Sequence, residues 1–133
     1  MHGYVINKDL GLLVLKYEGE VDIEQIDQLI QTLIQDPDYS RGLNILSDLR
    51  KLTSTYSYQQ MHDVVDKFPD PGEMAGKTKS AVLVTHDVTY GMARIWGSIT
   101  DDRTVANAQV FKSLAKALEW LGLPEDADIK FPF

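Results

Sequence analysis

Three places in this chain hold residues suited to chemistry. Asp48 and Arg50 stand two apart among alternating apolar residues, so on a strand their side chains share one face. Such a pair can contact an anion or a partner at the strand's carboxyl end. It can equally fix the turn that follows, because Asp often bonds backbone donors in turns. The second place is the hydroxyl-rich run after Arg50, with Thr53, Ser54, Thr55 and Ser57 ahead of a helical pattern. A phosphate on any of these would lie at a helix amino terminus, where backbone N–H groups and the dipole favour negative charge. The same hydroxyls also suit a plain turn and N-cap. The third place is His86–Asp87, which closes the apolar run Ala81–Val84. A histidine beside carboxylates can act as a general base. Paired with Asp48 or Arg94, His86 would give a small hydrolase or lyase. No Gly-x-Ser-x-Gly elbow is present to supply a nucleophile.

A chemistry-bearing residue needs an element to hold it. Gly42 to Ser57 reads as a buried strand, carried by Leu43, Ile45, Leu46 and Leu49, that runs into the hydroxyl turn and a helix capped by Ser57, with Gln60 completing the capping box. The stripe of that helix is Met61, Val64, Val65 and Phe68. Before it, Tyr4–Asn7 and Leu12–Tyr17 form two strands joined by a turn at Asp9–Gly11, an antiparallel hairpin. Asp22 caps a helix with Ile23, Ile26, Ile30, Leu33 and Ile34 on one face, and Asp36–Pro37 stops it. Ala81–Val84 is a continuous apolar run suited to a parallel strand covered on both faces. A third helix begins at Asp87 or Thr89, with Met92, Ile95, Trp96 and Ile99 as its stripe. Thr104–Phe111 is the fifth strand, and Ser113 caps a last helix ended by Gly122 and Pro124. The order ββαβαβαβα predicts an α/β fold with a five-stranded mixed, mostly parallel sheet and four helices.

The totals narrow the function classes. A length of 133 residues suggests one domain, residues 1–133, with a core that needs no staples. The absence of cysteine excludes disulfides, zinc–thiolate sites, iron–sulfur ligation and cysteine catalysis, and agrees with a cytoplasmic setting. A net charge of −7 without a basic run argues against nucleic acid and anionic membranes as partners. No apolar stretch approaches the roughly 18 residues of a membrane span, and the amino terminus lacks the pattern of a signal peptide. His2, His62 and His86 contain no i, i+4 pair, so no metal motif and no cofactor are expected. Asp101–Asp102 reads as a solvated helix end.

The element order, together with Gly19, Asp36–Pro37, Asp48–Leu49–Arg50, Tyr90–Gly91–Met92–Ala93–Arg94, Val110–Phe111–Lys112–Ser113, Ala117 and Trp120–Leu121, resembles the STAS domain of sulfate transporters and anti-sigma-factor antagonists. It looks closest to the SpoIIAA-like subgroup of free-standing bacterial proteins. The resemblance implies a regulatory or binding module, not an enzyme. In anti-sigma-factor antagonists a serine in the turn after the third strand is phosphorylated; here that turn is Lys51–Ser57, and it lacks the family's Asp-Ser-Ser-Gly pattern. Members of the subgroup are suspected of holding apolar ligands.

Tyr56, Tyr58, Met61, Tyr90, Met92, Trp96 and Trp120 are more large side chains than one small core requires. Helices two and three, both rich in Met and aromatics, are expected to leave a groove for a small apolar or anionic ligand or a protein partner. The second helix and the Glu73–Lys79 segment would gate it. The expected binding residues are Asp48, Arg50, Tyr58, Met61, His86, Tyr90, Arg94 and Trp96. A homodimer is the expected assembly, since unpaired apolar stripes favour symmetric pairing. A purely structural dimerisation domain is the remaining alternative.

Overall fold

A computed structural model describes residues 1–69, 72–74, 77–102 and 106–133. Five strands and four helices follow one another as β1 (His2–Asn7), β2 (Leu12–Gly19), α1 (Ile23–Ile34), β3 (Asn44–Leu52), α2 (Tyr58–Val65), β4 (Lys79–Leu83), α3 (Asp87–Asp102), β5 (Asn107–Phe111) and α4 (Leu114–Trp120). This is the expected ββαβαβαβα order. Residues 104 and 105 of the expected fifth strand lie outside the described residues, as do 75 and 76 of the expected gating segment.

The strands stand in the sheet in sequence order, β1-β2-β3-β4-β5. β1 pairs antiparallel with β2, and every later pair is parallel. The hairpin closes through Gly11, whose φ of 61° needs a residue without a Cβ and whose N–H donates to Lys8 O. Parallel neighbours require crossovers of one hand. Three crossovers taken in the same direction put α1, α2 and α3 on one face of the sheet and leave the other to α4 and the carboxyl-terminal tail.

Two cores result. On the first face Leu13, Leu15 and Tyr17 of β2 pack under Ile26 and Ile30 of α1, Met61 and Val64 of α2, and Met92 and Ile99 of α3. On the second face Leu12, Val14, Leu46 and Leu83 pack against Leu118 and Leu121, with Ile129 and Phe131 of the tail alongside. β2 therefore contributes four successive buried residues, Leu12 to Leu15, because both its faces are covered. Reciprocal capping boxes start α1 at Asp22–Gln25 and α2 at Ser57–Gln60, as the sequence predicts.

One helical stripe differs from expectation. Ile95 is 44% exposed, while Ala93 is buried in its place. At roughly 100° per residue, Ile95 lies about 200° from Ala93 around α3, on the solvent side. Thr100 shares the buried side because its hydroxyl donates to Trp96 O.

Candidate functional site

The turn after β3 is tied to the turn before α1. Thr53 N–H donates to Gly19 O, the Ser54 hydroxyl accepts from Val21 N–H, and the Tyr56 hydroxyl donates to Val21 O. The Tyr56 N–H points at the Met92 sulfur of α3. Burial pushes the Tyr56 phenol up to about 12, against a lowering hydrogen bond with Ser54. Of the four hydroxyls expected to carry a phosphate, Thr53, Thr55 and Ser57 are exposed and Ser54 is half-buried. Ser57 spends its hydroxyl on the Gln60 N–H at the head of α2.

Asp48 and Arg50 do share a face, and it is the face of α4. The Asp48 carboxylate is buried and accepts from Arg50 Nε and Nη2, both at 2.9 Å, and from the Arg50 N–H at 3.1 Å. Burial raises its pKa, but the Arg50 hydrogen bonds and the Arg50 and Lys16 charges outweigh this and hold the carboxyl below its ordinary range. The tail closes over this pair. Lys16 Nζ donates to Phe133 O at 2.9 Å and lies over the Phe131 and Phe133 rings, and the Arg50 guanidinium lies over Phe131. Asp48 and Arg50 thus form an ion pair beneath a tail.

On the opposite face, between the sheet and α1–α3, lies a cavity of about 80 Å³. Met61 of α2 and Trp96 of α3, both expected binding residues, line it, with Ile26, Leu52 and Phe68. Its floor carries two hydroxyls, Ser47 of β3 and Ser80 of β4. Ser80 is 4% exposed. No side-chain hydrogen bond joins either serine to another described residue. The wall formed by α2 is short and fastened near both ends: by the Ser57 cap, and by Lys67 Nζ on the Asp27 carboxylate of α1 at 2.6 Å.

The remaining expected residues lie elsewhere. Tyr58 is exposed at the head of α2, its ring against His62. His86 is exposed, and no hydrogen bond or ion pair joins it to Asp48 among the described residues. Its neighbour Asp87 starts α3 and binds Lys112 Nζ at 2.9 Å, which holds the Asp87 carboxyl below its ordinary range. Tyr90 and Arg94 line a second cleft, between α3 and β5. Asp101 accepts the Ala108 N–H at 3.1 Å. One turn of α2 brings ligand atoms of His62, Asp63 and Asp66 within 4.8 Å of one another. His62–Asp66 is an i, i+4 contact of 3.2 Å, and Asp63 accepts from Gln59.

Ser47 and Ser80 escape a search for motifs because neither belongs to one. Their signal is phase. Ser47 occupies the register of Ile45 and Leu49, and Ser80 that of Val82, so each is a polar residue on a core-facing position.

A SpoIIAA-like family profile matches residues 12–122. An uncharacterized Shewanella loihica protein with a SpoIIAA-like fold superposes on 91% of this chain and 95% of its own, with a TM-score of 0.53 and 16% sequence identity. No functionally curated protein matches the sequence. Among the described residues no helix is long and apolar enough to cross a membrane. The mixed sheet with three helices on one face, and the match running from β2 to the end of α4, place this chain in the SpoIIAA-like family.

Proposed function

We propose that this protein is a non-catalytic binding module. It takes a small apolar ligand with a hydrogen-bonding end into the cavity between the sheet and α1–α3, with α2 as the movable wall. The carrying observation is the pair of hydroxyls, half-buried Ser47 and buried Ser80, which make no side-chain hydrogen bond to a described residue and face a largely apolar cavity. An apolar pocket with a few convergent polar groups is the usual form of a small-molecule site. At about 80 Å³ the closed cavity is roughly half the size of one that admits benzene, so a larger ligand requires α2 to swing outward. The Thr53–Ser57 turn leads directly into that wall. A partner or a phosphate on this turn would therefore act on the cavity, which links a regulatory role to the binding role.

A catalytic reading finds less support. The Asp48 carboxylate is spent on Arg50 under the tail, and among the described residues no ion pair joins His86 to a carboxylate. Exposed Tyr58, Val88 and Ile95 provide apolar surface on α2 and α3 for a second copy, and sedimentation velocity over a concentration series reads that association.

The test is displacement of 11-(dansylamino)undecanoic acid by dodecanoic acid, in the wild-type protein and in Ala93→Leu, which fills the cavity from α3. Probe emission should rise on binding, fall with dodecanoic acid, and be weakened at least tenfold in the filled variant. Equal binding by both proteins would place the probe outside the cavity.

A further inference from the structure

The second cleft, about 400 Å³, is separate from the α2 cavity. Tyr90, Arg94, Ser98 and Asp101 of α3 form one wall, and Ala108 and Val110 of β5 lie in the other. Gly97 fixes the spacing between them: a Cβ there would meet the Ala108 Cβ at 3.4 Å, so helix and strand sit as close as side chains permit.

β5 ends the sheet, so among the described residues one of its edges has no neighbouring strand. The register tells which groups stand on that edge. Asn107 N–H donates to Thr78 O, and Phe111 O accepts from Val84 N–H. In a parallel ladder the backbone groups of alternate residues point to opposite sides. Asn107, Gln109 and Phe111 therefore aim at β4, and Ala108 and Val110 aim outward into the cleft. Asp101 already occupies the Ala108 N–H. The Val110 N–H and the carbonyls of Ala108 and Val110 have no strand to pair with among the described residues. Arg94 brings an exposed positive charge to the same cleft and makes no ion pair among the described residues.

We propose that this cleft docks an extended segment of another polypeptide, which adds to β5 as a sixth strand and places an acidic side chain on Arg94. Strand addition uses the backbone groups an edge leaves open, and neighbouring side chains supply specificity. Charge selects the occupant. Asp101, the cleft's other charge, sits about two helical turns from Arg94 and is engaged by the Ala108 N–H, so Arg94, with no ion pair among the described residues, matches an acidic residue; β5 of a second copy, Asn-Ala-Gln-Val-Phe, carries none. The net charge of −7 repels an acidic partner at long range, so association is slow and short-ranged, suited to a transient contact.

The probes are five-residue peptides of alternating valine and threonine with a central Glu, Gln or Lys, titrated into the 15N-labelled full chain. The Glu peptide should shift the Ala108, Gln109 and Val110 amide signals. It should bind at least tenfold more tightly than the Lys peptide, with the difference shrinking in high salt. Arg94→Glu should reverse that preference. Val110→Pro should abolish binding by removing the outward N–H, which β4 does not use. Because that variant risks the strand, the Arg94→Glu reversal stands as the independent test. No shift along β5, shifts confined to another surface, or binding indifferent to the central residue would each overturn the proposal.

Discussion

Replacing Ser80 with alanine removes one hydroxyl from the cavity floor and leaves the β4 backbone ladder untouched. Ser80 is 4% exposed and its hydroxyl meets no acceptor or donor among the described residues. The hydroxyl faces the cavity instead of sealed core, so its unpaired cost sits at the low end of roughly 1–3 kcal/mol. Part of this is returned because alanine leaves a slightly larger void, so the variant should be more stable by at most about 1 kcal/mol. With an unfolding entropy of about 2.1 cal/mol/K per residue, a chain of this length should gain at most about 3–4 °C in Tm for that change. Ligand affinity should move the other way. Loss of one hydrogen bond to the ligand's polar end is worth about 1 kcal/mol, a fall of roughly fivefold. Differential scanning calorimetry and isothermal titration with dodecanoic acid read the two effects separately. A variant less stable than wild type by 1 kcal/mol or more, with unchanged affinity, would refute the reasoning. It would mean that the hydroxyl serves the fold and that the polar end of the ligand lies elsewhere.

Other outcomes follow from the same geometry. Met61→Ala should cost about 2–5 kcal/mol in chemical denaturation and should enlarge the cavity enough to favour longer chains over shorter ones in competition binding. Ser57→Ala removes the cap of α2, at about 1 kcal/mol, and should speed ligand entry in stopped-flow traces. Asp48 titrates below its unfolded value of about 3.9, so its stabilisation is complete above that pH and is lost as pH falls through the folded value. In acid denaturation, Asp48→Asn should flatten that limb. Tyr56 is raised to about 12, so stability should decline between about pH 10 and 12 as the unfolded chain ionises first; Tyr56→Phe should lessen that alkaline slope, and buried Tyr17, also raised, keeps the remainder.

Much of the fold was legible because its signals are local. The Asp22–Gln25 and Ser57–Gln60 boxes announce both helices, Gly11 announces the hairpin, and strand–helix alternation leaves few arrangements of a parallel sheet. The candidate site was legible only in part. Met61 and Trp96 were found through helical spacing, and both line the cavity. Asp48 was rightly grouped with Arg50, but periodicity alone does not say which face of the sheet a strand position takes, and the pair lies on the α4 side. The tail conceals a further long-range effect. Lys16 and Arg50 lie against the aromatic rings of Phe131 and Phe133 across more than eighty positions of chain. Tyr90 and Arg94 were singled out on α3, but their cleft is made by β5, which only the tertiary packing of Gly97 on Ala108 brings alongside. Ser47 and Ser80 carry no motif, and their meaning comes from the packing around them.

The most direct test of the α2-gated cavity is a methyl-labelled NMR titration with dodecanoic acid. Met61 and Met92 both line the cavity and come from the adjacent helices α2 and α3. The binding reading predicts that their methyl signals shift together and show cross-relaxation with the ligand chain, while the methyls of Leu118 and Leu121, on the opposite face of the sheet, stay in place. Unmoved Met61 and Met92 signals at ligand saturation, or shifts confined to the α4 face, would contradict it.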